Sequence, residues 1–347
     1  MGARGPARPP PLGTVGGMVE VSTGDRRRVV GVLLWLAWLP LALWAAVRLG
    51  GWEVGRGLRP IQLVAFTPYA AVAAVPVAVL AVFARRRWLS VASLASVIAL
   101  AACVLPRMVA GPPHAAGSGP RLRVLTVNMR VGGADPATIM RLVRSHRVDL
   151  LALQEVTTAG LRALDAAGLA AALPYRVSYL EPDVTGLYSR FPLLGGGVRV
   201  HGSGFSQAKA TLSVPGAAPV AVESVHPCAP IGAGADRWWA ADLADQPPAT
   251  VDGQVRLLVG DFNSTLDHAP LRRLLATGYR DAADVTGRGS TGTWPYDGTW
   301  FVPKVTLDHV LADRRIGITG YEVFPIRGGD HRAVLAELAL PVLMLPS

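Results

Sequence analysis

The chain has 347 residues, of which 51% are hydrophobic and only 17% charged, and its mean hydropathy of +0.35 excludes a disordered polymer and sits poorly with a wholly water-soluble one. Two cysteines, Cys103 and Cys228, are too few for a disulfide framework and lack CxxC zinc spacing. The net charge of +10 suggests a nucleic-acid binder until it is mapped: residues 1–110 hold 12 basic and 3 acidic groups, residues 111–347 hold 22 and 21, so the excess is a membrane-topology signal.

Residues 1–28 are rich in Gly, Pro and Arg without apolar periodicity, and read as a disordered basic tail ending in Arg26, Arg27 and Arg28. Three apolar runs follow, at 29–47, 61–84 and 88–106. Each is long enough to cross a ~30 Å hydrocarbon core, so 29–110 is expected to hold three transmembrane helices. The alternative is a set of buried helices in a soluble core. Arg26, Arg27, Arg28, Arg85, Arg86 and Arg87, with Arg4 and Arg8 of the tail, outnumber Arg48, Arg56, Arg59 and Arg107 of the opposite loops by 8 to 4. That split predicts a cytoplasmic N-terminus and an extracytoplasmic position for everything after residue 110, on a multi-pass protein of the cell membrane.

A Gly/Pro-rich linker at 111–120 separates this region from a mixed α/β domain over 121–347. Its first strand is expected at 121–128. Asp135-Pro136 supplies an N-cap and first helical residue for a helix to 147, and a second strand follows at 149–156. Further strands are expected near 175–180, 186–191, 207–214, 219–226, 255–261, 306–312, 318–325 and 332–340, with helices near 158–171 and 268–277.

The informative residues interrupt the apolar strand ends. Strand, helix and strand return the chain in one direction, so Asn128 and Glu155 can share a sheet edge. An amide and a carboxylate placed there suit a hard cation such as Mg²⁺. Taken singly, each is more often simply a polar residue after a strand. Other strand ends carry His226-Pro227, Gly260-Asp261-Phe262-Asn263, Asp308-His309 and Gly329-Asp330-His331. Phosphate-ester hydrolysis needs a cation, a proton-transferring base or acid and neutral donors, and this inventory holds all three. No HExxH, Walker loop, GxSxG elbow or dinucleotide glycine fingerprint is present.

In motif order, residues 121–340 resemble the endonuclease/exonuclease/phosphatase superfamily, on Thr126-Val127-Asn128, Leu153-Gln154-Glu155, Ser189-Arg190-Phe191-Pro192, His226-Pro227, Gly260-Asp261-Phe262-Asn263, Thr293-Trp294-Pro295, Leu307-Asp308-His309-Val310 and Gly329-Asp330-His331. The resemblance implies a DNase I-like, four-layer αββα sandwich. It implies Glu155 as the principal ligand of a Mg²⁺ or Mn²⁺ ion, with Asn128 and Asp330 in support. His331 becomes the catalytic histidine oriented by Asp308, and His226 a phosphate contact. Asp261 positions or deprotonates the attacking water, and Asn263 donates to phosphoryl oxygens. His309 is expected to act structurally. Gly329 stands where the family usually has Ser. Ser206-Gln207-Ala208-Lys209-Ala210 replaces an Arg-and-acid pattern of DNase-like members, leaving Lys209 as the candidate phosphate contact.

The expected activity is a membrane-tethered, metal-dependent phosphoesterase. A similar arrangement among actinobacterial membrane proteins associated with teicoplanin-type resistance implies an envelope lipid phosphate as substrate, with the bilayer as a partner. A nuclease acting on external nucleic acid and a non-catalytic scaffold are the alternatives, the first disfavoured by the near-neutral charge of 111–347. Cys228 is either redox-sensitive or a small buried side chain. Trp238-Trp239 form either an aromatic lip, a core pair or an interfacial anchor.

Overall fold

The computed structural model of the protein describes residues 23–111, 118–179, 185–298 and 301–343. Most of the expected tail and of the linker therefore lies outside the described residues. The last six tail residues do not: α1 runs Thr23–Gly50, so Arg26, Arg27 and Arg28 form its early turns, with Asp25 favourably placed near the helix N-terminus. The remaining apolar runs give α2 (Leu58–Val64), α3 (Thr67–Phe83) and α4 (Arg87–Val104). Among the described residues, α1 and α4 are long and apolar enough to cross a membrane.

The run at 61–84 is not one straight span. It breaks into α2 and α3, bent by 74°, and supplies a third crossing only if the pair counts as one. Pro68 opens α3 and cannot donate to the carbonyl of Val64, so the Thr67 hydroxyl donates there instead at 2.7 Å. Pro40 and Pro76, inside α1 and α3, leave those helices continuous.

The α/β domain begins with β1 (Arg121–Asn128), α5 (Pro136–Ser145) and β2 (Leu150–Gln154), and continues through α6 (Thr158–Ala166), α7 (Leu169–Ala172), β3 (Tyr175–Tyr179) and β4 (Thr185–Ser189). Then come β5 (Leu193–Val200), β6 (Ser206–Leu212), β7 (Val220–Val225), α8 (Ala235–Ala244), β8 (Val255–Asp261) and α9 (Ala269–Ala276). The chain closes with β9 (Tyr279–Asp281), α10 (Ala282–Val285), β10 (Asp308–Asp313), β11 (Gly317–Pro325) and β12 (Arg332–Ala339). Asp135 caps α5 as expected, accepting from the backbone of Thr138 at 3.1 Å. Gly168, left-handed at φ 97°, divides the helix expected at 158–171 into α6 and α7.

Two six-stranded sheets result, ordered β11-β12-β1-β2-β4-β3 and β5-β6-β7-β8-β10-β9. Leu122, Val124 and Leu150 meet Val222, Leu257 and Val310 between them. The alternate residues face outward: Leu125, Val127 and Leu151 bury Ile139 and Val143 of α5, while Leu258 and Leu311 bury Trp239 of α8 and Leu271 of α9. Strands apolar on both faces thus make a four-layer αββα sandwich. Ile61 of α2 joins the outer cluster of α8 and α9, so the helices before residue 110 and the sandwich share packing. Likewise Gly119 and Pro120, at the end of the expected linker, hydrogen-bond to Leu340.

Gly260 marks where the sheets tolerate no side chain, because a Cβ there would lie 2.0 Å from the Val225 carbonyl oxygen. Gly260→Ala is expected to split β7 from β8 and destabilise the protein by about 3 kcal/mol or more. A thermal unfolding midpoint unchanged from wild type would contradict that close approach.

Candidate active site

Topology gathers the strand-end residues. Because β1 and β2 are parallel, Asn128 and Glu155 leave the same edge of the first sheet, and His331 enters that edge because antiparallel β12 begins there. Parallel β7 and β8 bring His226 and Asp261 to the matching edge of the second sheet. Antiparallel β10 then places Asp308 in register with Asp261. Facing sheets close the two edges on one cleft.

The Asn128 amide bridges them, donating to Glu155 Oε1 at 2.9 Å and to Asp261 Oδ2 at 3.1 Å. Its own oxygen accepts from the Arg130 backbone at 2.8 Å. His331 Nδ1 lies 2.8 Å from Asp308 Oδ2, and its Nε2 lies 3.6 Å from Asp261 Oδ2. His226 Nε2 sits 3.6 Å from Glu155 Oε1. Asp261, Asp308 and His331 are buried, whereas the Glu155 side chain keeps 30% exposure toward solvent.

Burial alone would lower the His331 pKa, but the Asp308 and Asp261 carboxylates outweigh it and hold the ring up at about 10. Burial, aided by Asp308, raises the Asp261 carboxyl against the opposing pull of His331 and His226. An acid poised high beside a carboxylate made more basic is a proton-transfer pair. The backbone is constrained here too: Glu155 (φ 53°), Asn263 (φ 47°) and Val131 (φ 51°) are all left-handed without being glycine. Val131 donates its N–H to Glu155 Oε2 at 3.0 Å.

The model of the endonuclease/exonuclease/phosphatase family matches residues 125–331, from the first strand through the catalytic-type histidine. The chain belongs to that family. Family and fold therefore make it a hydrolase of phosphoesterase or nuclease type. An endonuclease/exonuclease/phosphatase from Beutenbergia cavernae shares the fold at a TM-score of 0.50 and 19% identity, over 64% of this chain and 72% of that one. Sphingomyelinase C from Streptomyces griseocarneus matches at 0.46 and 17%, over 63% and 99%. Humanized TDP2 of D. rerio matches at 0.49 and 13%, over 63% and 98%. No curated protein matches the chain.

A shell of neighbouring side chains holds the site residues, and the sequence motifs that contain Thr293, Gln207 and Trp239 give no sign of these particular contacts. The Thr293 hydroxyl accepts from the backbone of Leu307 and Asp308 at 3.0 and 3.2 Å, fixing the dyad's carboxylate. Gln207 Oε1 accepts from the His226 backbone at 3.2 Å. Trp239 is fully buried and donates to the Asn263 carbonyl at 2.9 Å, whereas Trp238 is exposed, so the two tryptophans do not form one lip. His309 is structural: its ring bridges Asp281 and the Ser264 carbonyl at 2.8 Å each. A lone Gln, Thr or Trp carries no signal until the fold supplies its neighbour.

Of the expected site residues, one is placed away from the rest. Lys209 lies within β6, paired in register with Glu223, and is not brought to the cleft. Strand alternation puts it on the face of Gln207, but further down the strand from the site. The Asn263 amide donates to the Pro227 carbonyl at 3.1 Å, which leaves its second N–H for a phosphoryl oxygen. Asp330 adjoins His331, and its backbone carbonyl accepts from Tyr296. Cys228 is half-buried, its backbone N–H donating to Asp242 at 2.9 Å.

The donor set fits a divalent cation. Asp261, Asp308 and His331 offer three ligand-type atoms within 4.8 Å of one another, and the buried Asp308 Oδ1 has no hydrogen-bond partner. The Asp308 and Asp261 carboxylates favour the protonated form of His331, which competes with its use as a metal ligand. The oxygens of Glu155, beside Asn128 and open to the cleft, are the better match for a hard ion.

Proposed function

We propose that the protein is a membrane-anchored, divalent-cation-dependent phosphoesterase, with the catalytic domain on the extracytoplasmic side and an envelope lipid phosphate or pyrophosphate as substrate. The observation that carries the reading is the buried Asp261–His331–Asp308 cluster joined through the Asn128 amide to the partly open carboxylate of Glu155. Glu155, with Asn128 and Asp330 in support, would hold Mg²⁺ or Mn²⁺, which supplies charge neutralisation on the phosphoryl oxygens. Asp261 takes the proton of the attacking water. His331, kept protonated by its two carboxylates, gives a proton to the leaving oxygen, and Asp308 fixes the ring for that transfer. His226 and the spare Asn263 N–H steady the phosphoryl group.

Support for the anchored topology comes from both ends of the helices. Arg86 donates to the Arg27 carbonyl, so the arginine-rich turns lie together at the end remote from the sandwich. At the near end Arg48 and Arg107 share the single carboxylate of Asp267, at 2.7 and 2.8 Å, which offsets part of their charge. Their pairing sharpens the charge asymmetry that favours an outward catalytic domain.

The test is hydrolysis by the full chain in detergent with Mg²⁺, against polyprenyl pyrophosphate, phospholipids, an inositol phosphate and plasmid DNA. Release of phosphate from a lipid, abolished by EDTA and restored by Mg²⁺ or Mn²⁺, is expected. Salt-sensitive DNA cleavage without lipid turnover would instead favour a nuclease. Inactivity on the whole panel would leave a scaffold.

A further inference from the structure

We infer that the mouth of the catalytic cleft lies against the lipid headgroups, so that the bilayer surface is a binding partner of the site's rim and the substrate's phosphate enters from the membrane plane. This rests on the membrane-anchored reading above and adds an orientation to it.

The hydrogen bonds among the described residues that join the helices to the sandwich gather at one end. Among the described residues, hydrogen bonds from residues 48–69 to the catalytic domain end on Pro230, on the segment 266–272, or on Lys304. Gln62 donates to the Pro230 carbonyl at 3.0 Å, and the Tyr69 hydroxyl to that of Lys304 at 2.9 Å. The His268 ring meets the Ile61 carbonyl at 2.9 Å, and Glu53 accepts from the Ala269 backbone at 2.5 Å. Below the third apolar helix, the Arg107 carbonyl accepts from Gly289 at 3.0 Å.

These segments are the ones that carry or border the site. Pro230 follows His226 out of β7, 266–272 follows Asp261 and Asn263 out of β8, and Lys304 leads into Asp308 of β10. Among the described residues, the turns at the other ends of the same strands, such as the one at Val251, show no hydrogen bond to these helices. The cleft therefore opens on the side where α1 and α4 end.

The rim's chemistry matches an interface. Ile231 is 69% exposed and Phe301 fully exposed, on loops beside the Gln62 and Tyr69 contacts. Lys304, Arg56 and Arg59 are exposed near them. Apolar tips interleaved with cations on the side of the membrane helices suit a lipid surface with anionic headgroups. Buried ion pairs from Asp267 to Arg48 and Arg107 keep the cleft from swinging away.

Nitroxide accessibility on the full chain tests this without relying on turnover. Labels would be placed at Ile231→Cys, at Phe301→Cys and at Val251→Cys, in a Cys103→Ser/Cys228→Ser background, within nanodiscs of phosphatidylcholine and phosphatidylglycerol. Labels at 231 and 301 are expected to be relaxed more by oxygen than by a water-soluble nickel chelate, and the label at 251 the reverse. Either rim position suffices if the other variant misfolds. Labels at 231 and 301 as water-accessible as that at 251 would overturn the inference while leaving membrane anchoring intact. A chain that fails to partition into bilayers at all would overturn both. Failure of the hydrolysis panel alone would leave the label result standing.

Discussion

Asp308→Asn is expected to lower kcat by roughly 10³-fold and to pull the alkaline limb of the pH–rate profile down from near pH 10 toward neutrality. The sign follows from the charges. His331 is raised from 6.5 because Asp308 and Asp261 favour its protonated form, and removing one carboxylate lets burial lower it again. A ring that must be protonated to release the leaving oxygen then loses activity at a lower pH. The amide can also present an N–H to Nδ1, which selects the wrong tautomer and turns the ring. His331→Gln, which removes the acid outright, should cost at least as much and abolish the alkaline limb. An Asp308→Asn enzyme with wild-type kcat and an unmoved limb would show that the dyad does not carry the proton.

Asp267→Ala should be the most destabilising single change outside the cleft. Asp267 is buried, pairs with Arg48 through Oδ1 and Arg107 through Oδ2, and joins the ends of α1 and α4 to the segment after β8. Arg272 binds the carbonyls of both Arg48 and Asp267, at 2.9 and 3.1 Å. Removing the carboxylate leaves two buried guanidiniums without their anion, a loss of about 3–5 kcal/mol. In a protein of this size that corresponds to a fall in Tm on the order of 10 °C, measured on the full chain in detergent. A combined Asp267→Leu/Arg48→Met/Arg107→Met chain removes the charges together and should recover much of the loss. Asp267→Ala melting with wild type would mean that the helices and the sandwich are not mechanically joined there. Because of this joint, activity belongs in the full chain rather than in a fragment starting at residue 111.

Much of the sandwich could be read from the sequence because its strands are apolar on both faces and end in polar residues. That contrast placed Asn128, Glu155, His226, Asp261, Asp308 and His331 correctly at strand ends, and the two parallel pairs, β1–β2 and β7–β8, then had to bring them to common edges. What failed to show was set by tertiary contact. Three successive glycines in β5 hide an edge strand, paired with β6 across an irregularity between Leu194 and Gly197. In α8 the roles of the two tryptophans stayed open because the helix lacks a side-chain cap and begins at left-handed Gly234, so its start and its buried face were not marked. Lys209 looked like a phosphate contact because it precedes the histidine strand, yet its position down β6 sets it opposite Glu223. The bend between α2 and α3 was masked by uniform hydropathy, which does not distinguish an exposed Leu63 from an Ile61 buried against Trp239 and Phe262.

The most direct test of the converging cleft is Mn²⁺ binding to the full chain, followed by electron paramagnetic resonance in the absence of substrate. Wild type is expected to immobilise the ion, and Glu155→Gln to lose it by on the order of 10²-fold in affinity with an unchanged Tm. Equal binding by Glu155→Gln, or no binding by wild type, would contradict a cation held at Glu155 and Asn128 beside the Asp261–His331–Asp308 cluster.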